Sequence, residues 1–243
     1  MRRKDRTMTR HARRRGVAAL VLTFALVAAG CGMAHDPVPA AGASPDAAAA
    51  HAGRGHRIDP AVFHDDMRKL WEDHVTWTRL FLVSAITGLP GGTTLPDLDA
   101  TTNRLLQNQT DIGNAIAPFY GDDAGAALTA LLRTHILTAA EIVSAAKAGD
   151  QNAVADATAR WYANADDIAH FLADANPHVK FRTIDDLMRS HLDQTLAEAT
   201  ARLTGDWTGD VAAYEVIHLH ILHMADFLSD GIVKQFPQRF RTG

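Results

Sequence analysis

The stretch LTALLRTHILTAAEIVSAAKAG, residues 128–149, indicates the fold class of the chain. Its apolar side chains return every three or four residues, which is the period of one face of an α-helix. His135 shares that face with Leu128 and Ile142, so its imidazole is expected to point inward. Gly149 follows the periodic segment, and glycine is the usual residue there because it accepts the left-handed conformation that ends a helix.

The same pattern occurs three times along the chain. His74, His135 and His191 each stand fourteen residues before a glycine. Each is followed by a second helical segment with polar residues at matching positions, namely Asn108 and Asp111, Asn164 and Asp167, and His220 and His223. No sustained alternation of apolar and polar residues accompanies them, so strands are not expected. We therefore predict an all-α bundle of three repeated αα-hairpins, with about six main helices.

The separations along the chain support this alignment of the three repeats. His135 precedes Asn164 by 29 residues, and His191 precedes His220 by the same number. In the first unit the separation is 34, and the five extra residues fall in the glycine-rich segment 88–94. A turn between positions 149 and 150 would place His135 and Asn164 at the same height on neighbouring antiparallel helices.

Composition and charge exclude several classes of protein. The 243 residues are 47% hydrophobic and 21% charged, which suits one sizeable core and excludes collagen-like, disordered and multi-span membrane chains. Residues 1–30 carry eight Lys or Arg and one acid, a net charge of +7. Because the whole chain has a net charge of −4, the remainder carries −4 − 7 = −11. So acidic a domain is not expected to bind nucleic acid or to lie flat on anionic lipid.

The N-terminal segment is predicted to direct export. A basic stretch precedes the apolar run 17–29, which matches a signal sequence and is short for a membrane span. The run ends in Val-Ala-Ala-Gly-Cys at 27–31, which resembles a bacterial lipoprotein signal, although Ala28 stands where such motifs usually have Leu. We expect Cys31 to be lipidated and the protein to be extracytoplasmic, anchored to the bacterial cell membrane. Ordinary signal cleavage, which would leave a free thiol, is the alternative.

These features divide the chain into three parts. Residues 1–30 are predicted to be the signal peptide, residues 31–57 the lipidated cysteine with a flexible tether, and residues 58–243 the helical-bundle domain. The tether is assigned because its Ala, Pro, Gly and Ser side chains bury too little apolar surface to offset the entropy of ordering. Export by the general or the twin-arginine route stays open, since Arg14-Arg15 only weakly resembles a twin-arginine signal.

Short motifs in the predicted domain resemble a known family. LWEDHVTWTR at 70–79 is the most specific; RWYANAD at 160–166, MAD at 224–226 and GIVKQF at 231–236 follow it. Together they are similar to a widespread family of small all-helical bacterial proteins, and the similarity spans essentially the whole domain. The resemblance implies the helical fold and no particular activity.

The repeated polar positions are candidate site residues. An inward imidazole must find a hydrogen-bond partner. In one interpretation, histidines bond to the Asn or Asp opposite and hold the hairpin register. In the other, they line a polar cavity that binds a metal ion or a small ligand. The residues of this possible layer in the first two units are His74, Asn108, Asp111, His135, Asn164 and Asp167.

The third unit has only histidines at these positions, which favours a metal site. His191, His220 and His223 could supply three imidazoles to Zn²⁺, Cu²⁺ or Ni²⁺, with Asp226 or water as the fourth ligand. His223 lies to one side of the apolar stripe of its helix, so it could instead turn outward. The leading hypothesis is therefore a membrane-tethered binding module, with a transition metal as the candidate ligand.

Two alternatives remain open. The polar layer could be purely structural in a scaffold or interaction domain, whose protein partner the sequence does not identify. A helical-bundle metalloenzyme is the less favoured alternative, since Glu215 and His218 form only one of the two Glu-x-x-His motifs that di-iron bundles need. No nucleophile elbow, phosphate-binding loop or His-Glu-x-x-His motif is present either, so we lean against an enzyme.

Overall fold

A computed structural model of the chain describes residues 57–87 and 93–241. They belong to one compact unit, Arg54–Gly243. These residues form six long helices and no sheet, which confirms the predicted all-α bundle. The helices are α1 (Pro60–Ala85), α2 (Leu98–Tyr120), α3 (Asp122–Ala148), α4 (Gln151–Ala175), α5 (Phe181–Thr204) and α6 (Trp207–Gln235). A short 3₁₀ turn, Pro237–Arg239, follows α6.

The six helices form a closed ring. Each helix packs against its neighbours in the chain, and α6 packs against α1. Packing between α2 and α3 is as extensive as packing within the α3–α4 hairpin, so the three predicted hairpins are not set apart as separate units. The threefold repeat therefore stays a prediction. Ile58 and Phe240 form an isolated bridge where the two ends of the described chain meet.

Two of the three predicted helix ends occur where the glycines indicated. α3 ends at Ala148 and α5 at Thr204, and the following Gly149 and Gly205 are left-handed, with φ of 73° and 76°. The aspartate after each glycine caps the next helix through its carboxylate. α1 differs because it ends at Ala85, three residues before the expected Gly88, which lies outside the described residues.

Two of the ring helices also have the length and apolar composition of a membrane span. In α3 and α6, 39% and 44% of the most apolar window is buried within the protein. The core helix of a soluble protein meets the same criteria.

The crossing of α2 and α3 depends on two glycines. Gly113 and Gly125 bring the backbones so close that a Cβ on Gly113 would lie 2.0 Å from Thr129 Oγ1 and 2.5 Å from the Gly125 carbonyl oxygen. A Cβ on Gly125 would lie 2.7 Å from the Gly113 carbonyl oxygen. A side chain at either position therefore requires the helices to separate.

Replacing Gly113 by Ala is expected to lower the free energy of unfolding by about 1–3 kcal/mol, the usual cost of overpacking. The control is Asn114→Ala, at the exposed neighbouring position on the same helix, which should not destabilise the protein. Urea denaturation measures both. A Gly113→Ala protein as stable as the control would contradict the close crossing.

Candidate functional site

Three histidines meet inside the ring, one from each odd-numbered helix. His74 on α1, His135 on α3 and His191 on α5 are 3–4% exposed. The ring centroid of His191 lies 5.5 Å from that of His74 and 6.0 Å from that of His135. His220 of α6 stands beside them, half-buried, with its centroid 6.3 Å from that of His191. We call these four residues the histidine layer.

A recurring hydrogen bond ties each even-numbered helix to the odd-numbered helix before it. Asn108 Nδ2 donates to the Leu70 carbonyl oxygen at 3.0 Å, and Asn164 Nδ2 donates to the Leu131 carbonyl oxygen at 3.2 Å. His220 Nε2 lies 3.0 Å from the Leu187 carbonyl oxygen. In all three cases the carbonyl stands four residues before the histidine of the layer. Because a carbonyl only accepts, Nε2 of His220 carries the hydrogen and its Nδ1 keeps a lone pair.

One predicted pair is bonded directly. His135 Nδ1 lies 3.1 Å from Asn164 Oδ1, as expected for residues equally distant from a turn at 149–150. Since the Asn164 amide nitrogen donates elsewhere, its oxygen is the acceptor here and His135 Nδ1 carries the hydrogen. His135 Nε2 is therefore the lone-pair nitrogen of the neutral ring.

Several polar atoms in the layer and on the tryptophans beside it have no hydrogen-bond partner within the described residues. Among the described residues, no hydrogen bond reaches the buried Nδ1 atoms of His74 and His191 or the Nε1 atoms of Trp71 and Trp161. Trp71 lies beside His74, with ring centroids 5.9 Å apart, and Trp161 lies 5.0 Å from His135. Leaving such a group unsatisfied costs roughly 1–3 kcal/mol. Four of them in one layer are unusual for a protein interior.

Burial keeps the imidazoles neutral. It lowers the pKa of His74 to about 4, against the opposing effect of the neighbouring Gln109 side chain. Burial, together with the neighbouring His74, lowers the pKa of His135 to about 3. The pKa of His191 falls well below its usual value because the ring is buried and faces His74, His135 and His220. No carboxylate contributes to these shifts, so a proton on any of the three rings would lack a counter-charge.

The four ligands predicted for the metal site do not converge. His191 and His220 belong to the layer, but His223 is exposed. Asp226 instead accepts two hydrogen bonds of 2.6 Å from Arg68 of α1. The physical reason is the rotation of α6, which turns Ile217, Ile221 and Met224 into the core. Across residues 57–87 and 93–241, no group of three or more His, Cys, Asp or Glu side chains is placed to hold a metal ion.

The two aspartates predicted for the layer also lie outside it. Asp111 accepts hydrogen bonds from Gln107 at 3.0 Å and Arg104 at 3.4 Å, and Asp167 is exposed. Each stands three residues after its asparagine at the edge of the buried face, whereas Ile112 and Ile168, one residue further along, are fully buried. The layer is therefore built from His and Asn with flanking Trp, and not from His and Asp.

Trp71 and Trp161 flank the layer. Both are buried, and their unpartnered indole N–H groups add donors to the layer. Their spacing was a usable signal, since Trp71 stands three residues before His74 and Trp161 three before Asn164, which places each pair on one helix face.

Two small cavities lie beside the tryptophans that flank the layer, and no histidine of the layer lines either of them. Each has a volume of about 30 Å³ and an almost entirely apolar lining. Trp71 lines one, together with Met67 and Ile112, and Trp161 lines the other. A space of this size admits one water-sized guest.

A second polar cluster lies near the turn between α5 and α6. Arg79 of α1 bridges Glu198 at 2.7 Å and Asp210 at 2.9 Å, and Arg202 binds Asp210 at 3.0 Å. Both carboxylates are almost fully buried. Burial raises the pKa of Glu198 to about 7, against the opposing effect of Arg79. The Arg79 guanidinium also lies 4.9 Å from the centroid of the Tyr214 ring. All of its groups are paired, so this cluster is structural.

Comparison of the chain with protein-family models, with curated proteins and with solved structures found no match. The resemblance carried by the motif at 70–79 therefore stays a prediction.

Proposed function

We propose that this protein is a membrane-tethered, extracytoplasmic binding module whose histidine layer is the site for a small polar guest. One observation carries the proposal. Three imidazoles meet inside the ring, and four buried nitrogen atoms, two on these imidazoles and two on the flanking indoles, have no hydrogen-bond partner within the described residues. Apolar side chains in these positions would avoid the cost of burying unsatisfied groups. A guest that bonds to them would offset that cost.

The free lone pairs of the layer determine which kind of guest it can bind. Lone pairs remain on His135 Nε2 and His220 Nδ1, and each of the other two neutral rings keeps one as well. Neutral imidazoles are ligands for Zn²⁺, Cu²⁺ and Ni²⁺, so these ions are the guests to test first. Binding would require side chains of the layer to rotate toward a common centre, because the rings are not placed to hold an ion as they stand.

The test combines elemental mass spectrometry with calorimetric titration of the full-length protein by Zn²⁺, Cu²⁺ and Ni²⁺. We expect His74→Leu,His191→Leu to weaken binding at least about tenfold, and the exposed His178→Gln to leave it unchanged. Binding should also weaken as the pH falls, because the ligands must be neutral. Equal affinities in both variants, or no bound ion and no heat of binding, would refute the metal form of the proposal.

A scaffold without a guest is the second candidate. It is favoured by the His135–Asn164 bond and by the three bonds to helix carbonyls, which hold the hairpin registers without any ligand. If the titrations detect no binding, the scaffold becomes the favoured function.

The membrane tether has its own test at Cys31, which lies outside the described residues. Replacing Cys31 by Ser removes the thiol that the lipoprotein signal would present for lipidation. The variant should therefore be lost from the membrane fraction or accumulate as an uncleaved precursor. Cell fractionation and mass spectrometry of the mature N-terminus measure this. Identical partition and an identical mature terminus in the wild type and the variant would contradict lipidation.

A further inference from the structure

The outward face of α6 has a cluster of exposed apolar side chains. Four of the nine large apolar side chains exposed in residues 57–87 and 93–241 lie on this helix. Three of them, Val211, Val216 and Leu219, are 53%, 54% and 68% exposed and lie on its outward side. We call this surface the α6 face.

Two complementary polar residues flank the centre of the α6 face. Glu215 and His223 stand four residues before and four residues after Leu219, so both lie next to it on the helix surface. Both are exposed, and Glu215 forms no hydrogen bond or ion pair within the described residues. The arrangement is symmetric about Leu219 in position and complementary in chemistry.

We propose that the α6 face pairs with the same face of a second copy of this chain, antiparallel and about a twofold axis at Leu219. The axis places residue 219 − n opposite residue 219 + n of the second copy. Glu215 then lies at the same height as His223 of the second copy, and Val216 at the height of Leu222. Because the interface is isologous, the Glu–His contact forms twice.

Other occupants suit the α6 face less well. No Lys or Arg occurs in α6 before Lys234, so the helix lacks the cations that bind an amphipathic helix to anionic lipid. Parallel pairing of two copies would set Glu215 against Glu215, which is repulsive. Only the antiparallel arrangement satisfies both polar residues.

The dimer is expected to be weak. One helix seam covers less than the roughly 800 Å² per partner of a stable complex. We therefore expect association only at high micromolar concentrations of the protein.

Cysteine cross-linking tests the position of the axis. Cys31 is the single cysteine of the chain, so a full-length Cys31→Ser,Leu219→Cys protein has its only thiol on the axis. Mild oxidation should yield a disulfide-linked dimer. The matched control is Cys31→Ser,Leu137→Cys, whose thiol replaces a 47% exposed leucine on α3. Cross-linking of Leu219→Cys no faster than of Leu137→Cys would overturn the proposal.

A charge swap tests the antiparallel direction by sedimentation equilibrium. His223→Glu should weaken the dimer about tenfold, since Glu215 would then face a glutamate. The double variant Glu215→His,His223→Glu restores the pair and should return the dissociation constant to within about threefold of the wild-type value. Circular dichroism checks that these exposed changes leave the fold intact. A wild-type protein that stays monomeric up to near-millimolar concentration, or a double variant no better than His223→Glu, would overturn the proposal.

Discussion

Below pH 6.5 the protein is expected to lose stability steeply, because three buried imidazoles must stay neutral in the folded chain. The unfolded chain protonates His74, His135 and His191 near pH 6.5, whereas the folded chain does so only near the lowered pKa values, about 4 for His74 and about 3 for His135. The unfolded state therefore binds more protons between these limits. Each imidazole lowers the free energy of unfolding by about 1.4 kcal/mol per pH unit there, so the three together contribute about 4 kcal/mol per unit.

Urea denaturation between pH 7.5 and pH 4.5 in the presence of a chelator measures this slope. His74→Leu should reduce it by about 1.4 kcal/mol per pH unit, since one proton fewer is taken up on unfolding. The same change removes an unpartnered buried nitrogen, so we expect little loss of stability at pH 7.5. His178→Gln, at an exposed position, should keep the wild-type slope. A slope that does not change in His74→Leu would contradict a neutral histidine layer.

Replacing Arg79 by Met is expected to cost about 3–5 kcal/mol, because it leaves the buried Glu198 carboxylate without its partner. Asp210 would keep Arg202, whose charge also acts on Glu198, but among the described residues only Arg79 forms a direct ion pair with that carboxylate. The loss should be largest at alkaline pH. As the pH falls, the Glu198 carboxyl, whose pKa is already raised to about 7, takes up a proton and no longer needs the guanidinium.

Guanidinium or urea denaturation at pH 8.5 and pH 6 measures both effects. The matched control is Arg160→Met, which removes an exposed pair with Glu141 and should change the free energy of unfolding by less than about 1 kcal/mol. Glu198→Gln gives a second check. The native carboxyl, with a pKa raised from its usual value, contributes stability below pH 4.5 that is lost as the pH rises through about 7, and the amide should abolish this loss. Equal losses in Arg79→Met and Arg160→Met would refute the buried ion cluster.

The two polar groups of the interior respond to pH in opposite directions. The histidine layer loses stability as the pH falls below 6.5, and Glu198 loses it as the pH rises toward about 7. Between pH 4.5 and 6.5 Glu198 offsets about one third of the histidine effect, and above about pH 7 neither group changes the stability further, so the range of greatest stability is expected to begin near pH 6.5 and to extend to higher pH. The layer is also the candidate ligand site, so binding of a guest that needs neutral imidazoles should extend this range toward acid.

Much of the fold could be predicted because helices are local structures. The 3.6-residue period identified the α-helices, and the glycines at 149 and 205 marked where α3 and α5 end. Equal distances from the turn placed His135 beside Asn164, because each helical residue advances the chain by a fixed 1.5 Å. These results follow from the spacing of residues within one hairpin.

Contacts between hairpins were decided by the tertiary structure. Whether His223 faces inward depends on how far α6 is rotated about its own axis, and the packing of Ile217, Ile221 and Met224 sets that rotation. The pairing of Asp226 with Arg68 joins residues 158 positions apart, and no local spacing indicates it. The sequence by itself determined six helices, their turns and the height of each histidine along its helix. Only the closed ring brought His74, His135 and His191 together and turned His223 outward, because helix rotation and ring closure minimise exposed apolar area over the whole domain.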